Sequence, residues 1–95
     1  MALATSPWDV TAHLDSEEAI AAYLDAVFED GDPALIKAAI GDVARARGMT
    51  EIARKAGITR AGLYKALADS GNPSFSTIAS VMKALGVRLS VSPTI

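Results

Sequence analysis

The eighteen residues from Thr50 to Leu67, TEIARKAGITRAGLYKAL, constrain the chain most. Their pattern predicts a helix, a tight turn and a second helix. Thr50 and Thr59 sit where helix N-caps belong, because a hydroxyl can accept a hydrogen bond from an otherwise unpaired amide. Gly57 falls between the two helices, where a sharp turn needs positive φ. Ile52, Ala56, Ile58, Leu63 and Ala66 are apolar and turn inward in this layout, and Ala53 is small where two helices cross closely. The spacing of Ala53, Gly57 and Leu63 is that of a helix-turn-helix, which a plain helical hairpin would not require.

The charge distribution agrees with a division of labour along the chain. Its formal net charge is −2 over 95 residues. Residues 1–33 carry eight carboxylates and no Lys or Arg, a net −8. Residues 34–65 carry seven basic side chains against two acidic, a net +5, and residues 66–95 carry two against one, a net +1. The acidic front and basic middle are hidden by the average, and the basic part coincides with the helix-turn-helix. The absence of cysteine excludes a disulfide framework and a thiolate metal site, which fits a reducing, cytoplasmic setting. MALATSPW lacks the basic start and apolar run of a signal peptide, and no stretch approaches the roughly 20 apolar residues of a membrane span. The expectation is one domain, with residues 1–32 as acidic arm and helix, 33–86 as DNA-binding core, and 87–95 as C-terminal strand and tail.

Within that domain five helices are expected. Trp8 to Leu14 alternates weakly and reads as an extended arm. Asp15 is placed to cap the first helix, with Glu18 completing a capping-box-like pair. Ile20, Tyr23, Leu24, Val27 and Phe28 give that helix a buried face. Gly31 stops it, Asp32 caps the next and Pro33 takes the first-turn position that needs no amide. The second helix runs from about Pro33 to Arg47, with Ile36, Ala39, Ile40 and Val43 as its apolar stripe and Lys37, Asp42 and Arg45 facing out. Gly48 closes it. After the motif helices, Ser74 caps a fifth helix whose stripe is Phe75, Ile78, Val81, Met82 and Leu85, ended by Gly86. Val87, Leu89 and Val91 alternate with Arg88 and Ser90 and predict a short strand. That strand would need the Trp8–Leu14 segment, a second copy of itself or a partner's sheet edge to satisfy its backbone.

The second motif helix carries the candidate chemistry. With Ile58, Leu63, Ala66 and Leu67 turned to the core, Arg60, Ala61, Tyr64 and Lys65 are left on its open face. The N-terminal residues of such a helix meet base edges in the major groove. Arg60 is best placed for a bidentate contact to guanine, Ala61 for a thymine methyl and Lys65 for a phosphate. Tyr64 serves either a phosphate or base contact, or the edge of the core. Thr50 and Thr59 offer amides and hydroxyls to phosphates, and Arg54 adds to the basic surface or is simply solvated. Gly62 permits close backbone approach. No catalytic constellation or phosphate-cradling glycine loop is present, and the single histidine, His13, cannot build a metal site alone, so neither an enzyme nor a cofactor is expected.

Three stretches, YLDAVFEDGDPALIKAAIGDVARARGM, TEIARKAGITRAGLYKALADSGNPSFSTI and VMKALGVRLSV, resemble the HigA-like addiction module antidote proteins, antitoxins of type II toxin–antitoxin pairs. The resemblance covers roughly residues 8–91, with GITRAGLYKAL and GNPSF its most specific words. It implies a mainly α, lambda-repressor-like helix-turn-helix domain, neutralisation of a small RelE/HigB-like mRNA-cleaving toxin, and repression of the shared operon. Such toxins are basic, so the acidic front, especially Glu17, Glu18, Asp25 and Glu29, is the expected toxin-binding surface. A homodimer reading an inverted repeat with half-site centres about 10 bp apart is expected. A stand-alone repressor of the same fold, and a protein–protein inhibitor with a vestigial helix-turn-helix, are the alternative readings.

Overall fold

Side chains at the chain's turns decide where its helices begin and end. The structure is a computed structural model that describes residues 14–94. Ser16 opens α1 (Glu17–Asp30) by accepting from the Ala19 amide at 3.1 Å. The cap is therefore Ser16 and not Asp15, and Glu18 falls one position short of the site a capping box requires. Asp32 caps α2 (Pro33–Arg47) through the Ala34 amide at 3.0 Å, with Pro33 in the first turn. The Ser74 hydroxyl caps α5 (Phe75–Ala84) through the Thr77 amide at 3.1 Å.

Between α2 and α3 (Met49–Ala56) there is a single residue, Gly48. Its amide donates to Ala44 O and closes α2, while its carbonyl accepts from the Ile52 amide and opens α3. This double duty puts Gly48 at φ +104 and displaces Thr50 into the first turn of α3. Thr50 is thus not a cap, and α3 has no side-chain cap hydrogen bond.

The buried residues form one cluster that contains no buried polar or charged side chain. Helix α3 lies at its centre, packed on α2, on α4 (Arg60–Leu67) and most extensively on α5, while α1 packs on α2. Ile52 and Ala53 of α3, Leu63 and Leu67 of α4, Ile40 and Val43 of α2, and Val81 and Met82 of α5 are buried together. Ile20 and Leu24 bring α1 onto the same core. Leu14, just before α1, is buried as well; the rest of the Trp8–Leu14 segment lies outside the described residues.

Two expectations about the C-terminal third are corrected. Phe75 is 76% exposed and does not join the core stripe of α5, because at the first helical position it projects past the end of the packed layer. Among the described residues there is no strand, and residues 87–94 have no regular structure. Val87 is committed elsewhere: its amide donates to Met82 O at 3.1 Å while that of Gly86 donates to Lys83 O at 3.0 Å, a Schellman termination of α5. Val91 is 98% exposed, so the alternating apolar residues do not share one buried face.

The loop after α4 is held from α2. The half-buried Lys37 folds over the surface, and its ammonium donates to the carbonyls of Asp69 and Gly71, both at 2.7 Å. Gly71 lies so close to the last carbonyls of α4, those of Lys65 and Ala66, that a Cβ there would overlap backbone atoms with no freedom to yield. Gly71→Ala is expected to cost about 1–3 kcal/mol, the usual range for overpacking. Urea unfolding followed by circular dichroism measures it, and an unchanged midpoint would refute the close approach.

Candidate nucleic-acid interface

The turn joining α3 to α4 fixes their mutual angle. The Gly57 amide donates to Arg54 O at 3.2 Å and the Ile58 amide to Ala53 O at 3.0 Å, the paired bonds of a Schellman motif. Gly57 sits at φ +76, a left-handed conformation that costs an L side chain roughly 1–2 kcal/mol. Thr59 then caps α4 by accepting from the Gly62 amide at 2.9 Å, a bond worth about 1 kcal/mol. A Cβ at position 62 would sit 2.9 Å from the same hydroxyl, so Gly62 keeps the cap intact besides leaving the backbone bare.

The outer face of α4 is open. Arg60, Ala61, Tyr64 and Lys65 are all exposed, while Leu63 and Leu67 are buried. Tyr64 is 41% exposed, partly covered by the protein and partly open to solvent. Its ring lies under Arg60, whose guanidinium carbon is 5.3 Å from the ring centroid, with Nη2 donating weakly to the phenol oxygen at 3.4 Å. A cation over an aromatic face at this range is attracted by the ring quadrupole. Tyr64 is thus a platform for Arg60, a role the sequence reading did not assign. The i, i+4 spacing of arginine and aromatic was the available signal.

Helix α3 supplies a more balanced surface. Arg54 donates to both carboxylate oxygens of Glu51, through Nε at 3.2 Å and through Nη2, and Lys55 lies 3.9 Å from the same carboxylate. The hydrogen bond from Arg54 chiefly, and then its charge and that of Lys55, hold the Glu51 carboxyl below its ordinary range. All three side chains are about half exposed or more, so salt and competing anions weaken the grouping. Thr50 is exposed on the first turn of α3, the turn that lacks a side-chain cap.

The acidic candidates lie on α1, which packs chiefly on α2. Glu17, Glu18, Asp25 and Glu29 are all exposed. Offsets of seven and four residues place Glu18, Asp25 and Glu29 along one stripe of the helix. Glu17 departs from that stripe: its Cγ lies 2.6 Å from where a Cβ on Gly86 would be, so its stem covers the end of α5. Among the described residues no group of three or more His, Asp or Glu is arranged to hold a metal ion, and no helix is long and apolar enough to cross a membrane.

These features describe a small all-α protein with a basic, uncovered helix face on a two-helix turn. Compared with known proteins, residues 4–93 match a family model described as probable addiction module antidote protein, and the chain belongs to that family. An uncharacterized protein of Haemophilus influenzae (strain ATCC 51907 / DSM 11121 / KW20 / Rd) is 52% identical over 84 residues, spanning 88% of this chain and 87% of that one. No solved structure matches the chain. Membership implies an antitoxin role and hence a toxin to be countered.

A depressed carboxyl contributes stability that is present above the ordinary glutamate range and is lost as pH falls through its lowered value. Carboxyl NMR titration should therefore find Glu51 with a midpoint below that of a free glutamate side chain, and Arg54→Ala should return it to the ordinary range. A Glu51 titration unchanged by Arg54→Ala would remove the pair as the cause.

Proposed function

We propose that the chain is the antitoxin of a type II toxin–antitoxin module. In this reading it neutralises a RelE/HigB-like mRNA-cleaving toxin by direct binding and represses its own operon through sequence-specific contacts of α4. The α3–α4 pair is its helix-turn-helix, set in a lambda-repressor-like domain. The observation that carries the DNA half is the uncovered Arg60–Ala61–Tyr64–Lys65 face, held at a fixed angle by the Gly57 turn. Arg60 reads a guanine from its Tyr64 platform, Ala61 meets a thymine methyl, and Lys65, Arg54, Thr50 and Thr59 contact phosphates. Thr59 can do so while capping, since its hydroxyl proton is free when the oxygen accepts from Gly62.

Electrophoretic mobility shift on the protein's own upstream DNA tests this half. Arg60→Ala should cost about 1–3 kcal/mol and relax one base position, whereas Lys65→Ala should weaken all sequences alike and reduce the salt slope by about 1. Operator binding unchanged by Arg60→Ala would refute the assignment of α4 as reader.

The acidic stripe of α1 supports the toxin half. A basic partner would meet Glu18, Asp25 and Glu29 together, and family membership favours this over a stand-alone repressor. Charge reversal at these three positions should slow association with the product of the neighbouring gene and weaken its binding, with DNA affinity nearly unchanged. Glu17 is left alone because its stem packs on Gly86. Surface plasmon resonance at two ionic strengths measures the effect, and unaltered association would reject this surface.

A further inference from the structure

We propose that Lys37 is a positioning residue for the DNA-facing helix: by gripping the loop behind α4 it fixes the last turn of that helix, and with it Lys65, against the operator backbone. This rests on α4 being the DNA reader, as proposed above. The two ends of α4 are held very differently. Its start is fixed by the Schellman turn at Gly57 and by the Thr59 cap, both made within a few residues. Its other end has neither device. The C-cap, Ala68, has extended backbone, and its amide reaches Lys65 O only at 3.4 Å. A helix of eight residues is too short to keep its last turn by its own hydrogen bonds. Burial of Leu67 presses that turn onto the core, but apolar contact is non-directional and does not set its course.

The loop supplies the missing direction. The Gly71 amide donates to Ala68 O at 2.8 Å and folds the loop back, so that Gly71 lies against the carbonyls of Lys65 and Ala66. Lys37 locks this arrangement from α2, with its ammonium bonded to Asp69 O and Gly71 O. Hydrogen bonds from an ammonium are stronger than neutral ones, and a positive charge behind the carbonyl end of a helix offsets its dipole. Helix α2 is itself rooted in the core by Ala39, Ile40 and Val43. The brace therefore ties the end of α4 to the core and not merely to a loop. Lys65 stands exposed in the last turn of α4, next to the brace, whereas Arg60 stands at the far end beside the Thr59 cap. Loss of the brace thus bears on the phosphate contact of Lys65 and leaves the base contact of Arg60.

Mobility shift on the upstream DNA over a series of salt concentrations tests it. Lys37→Met keeps the apolar stem and loses the donors, while Lys37→Arg keeps donors and charge. Lys37→Met should reduce the salt slope by about 1, as Lys65→Ala does, with base preference unchanged. The double variant should still lose about 1 and not about 2, because either change removes the same phosphate contact. Lys37→Arg should restore the slope. Amide hydrogen exchange of the free protein reads the brace without DNA. In Lys37→Met the last amides of α4 and that of Gly71 should exchange faster by about tenfold or more, the equivalent of one charge-assisted hydrogen bond, with α1 and α3 unchanged. A loss of about 2 in the double variant makes Lys37 a phosphate contact in its own right and overturns the proposal. Faster exchange in every helix makes it a general stabiliser and equally overturns it. Should the wild type bind the operator and Lys37→Met bind it identically, this role alone fails. A wild type that binds no duplex refutes α4 as the reader, and this role with it.

Discussion

The packing of α3 against three other helices is the constraint on which the rest of the molecule depends. Ala53 and Ile52 are buried at that centre, and the two hydrogen bonds that close α3, donated by the Gly57 and Ile58 amides, end on the carbonyls of Arg54 and Ala53. The same short segment therefore fixes the core and the direction in which the chain leaves for α4. A larger residue at position 53 would act on both, separating α3 from its neighbours and tilting α4 with it. Precision at the outer face of α4 is inherited from a small residue in the interior.

That inheritance explains what was legible in the sequence and what was not. Local chemistry was readable: Gly57, Asp32, Ser74 and Thr59 do what their side chains or lack of one dictate within three or four residues. Thr50 and Asp15 failed because a better-placed neighbour, Gly48 or Ser16, took the position, and a shift of one or two residues lies beyond pattern reading. Phe75 followed the helical period yet lay beyond the layer it was expected to fill. Period states which face a residue occupies but not where the opposing surface ends. The predicted strand at Val87–Val91 failed for a related reason, since alternation cannot supply a pairing partner.

The candidate site divides similarly. Exposure of Arg60, Ala61, Tyr64 and Lys65 followed from the period of α4. The stacking of Arg60 on Tyr64, the engagement of Arg54 by Glu51 and the grip of Lys37 on the loop after α4 depend on side-chain conformation, which spacing permits but does not choose. Lys37 is the most instructive case: it joins residues 32 and 34 positions away, and no local pattern marks a lysine whose acceptors are backbone carbonyls.

The segregation of charge has a consequence that the small net charge conceals. Carboxylates gather on α1 and its flanks, and cations on α2 to α4, so the potential near each helix is set by its own local charges and not by the net charge of −2. Where salt screens charges more than about 10 Å apart, a polyanion close to the exposed side chains of α4 responds to Arg60 and Lys65 more than to the two excess negative charges of the whole chain.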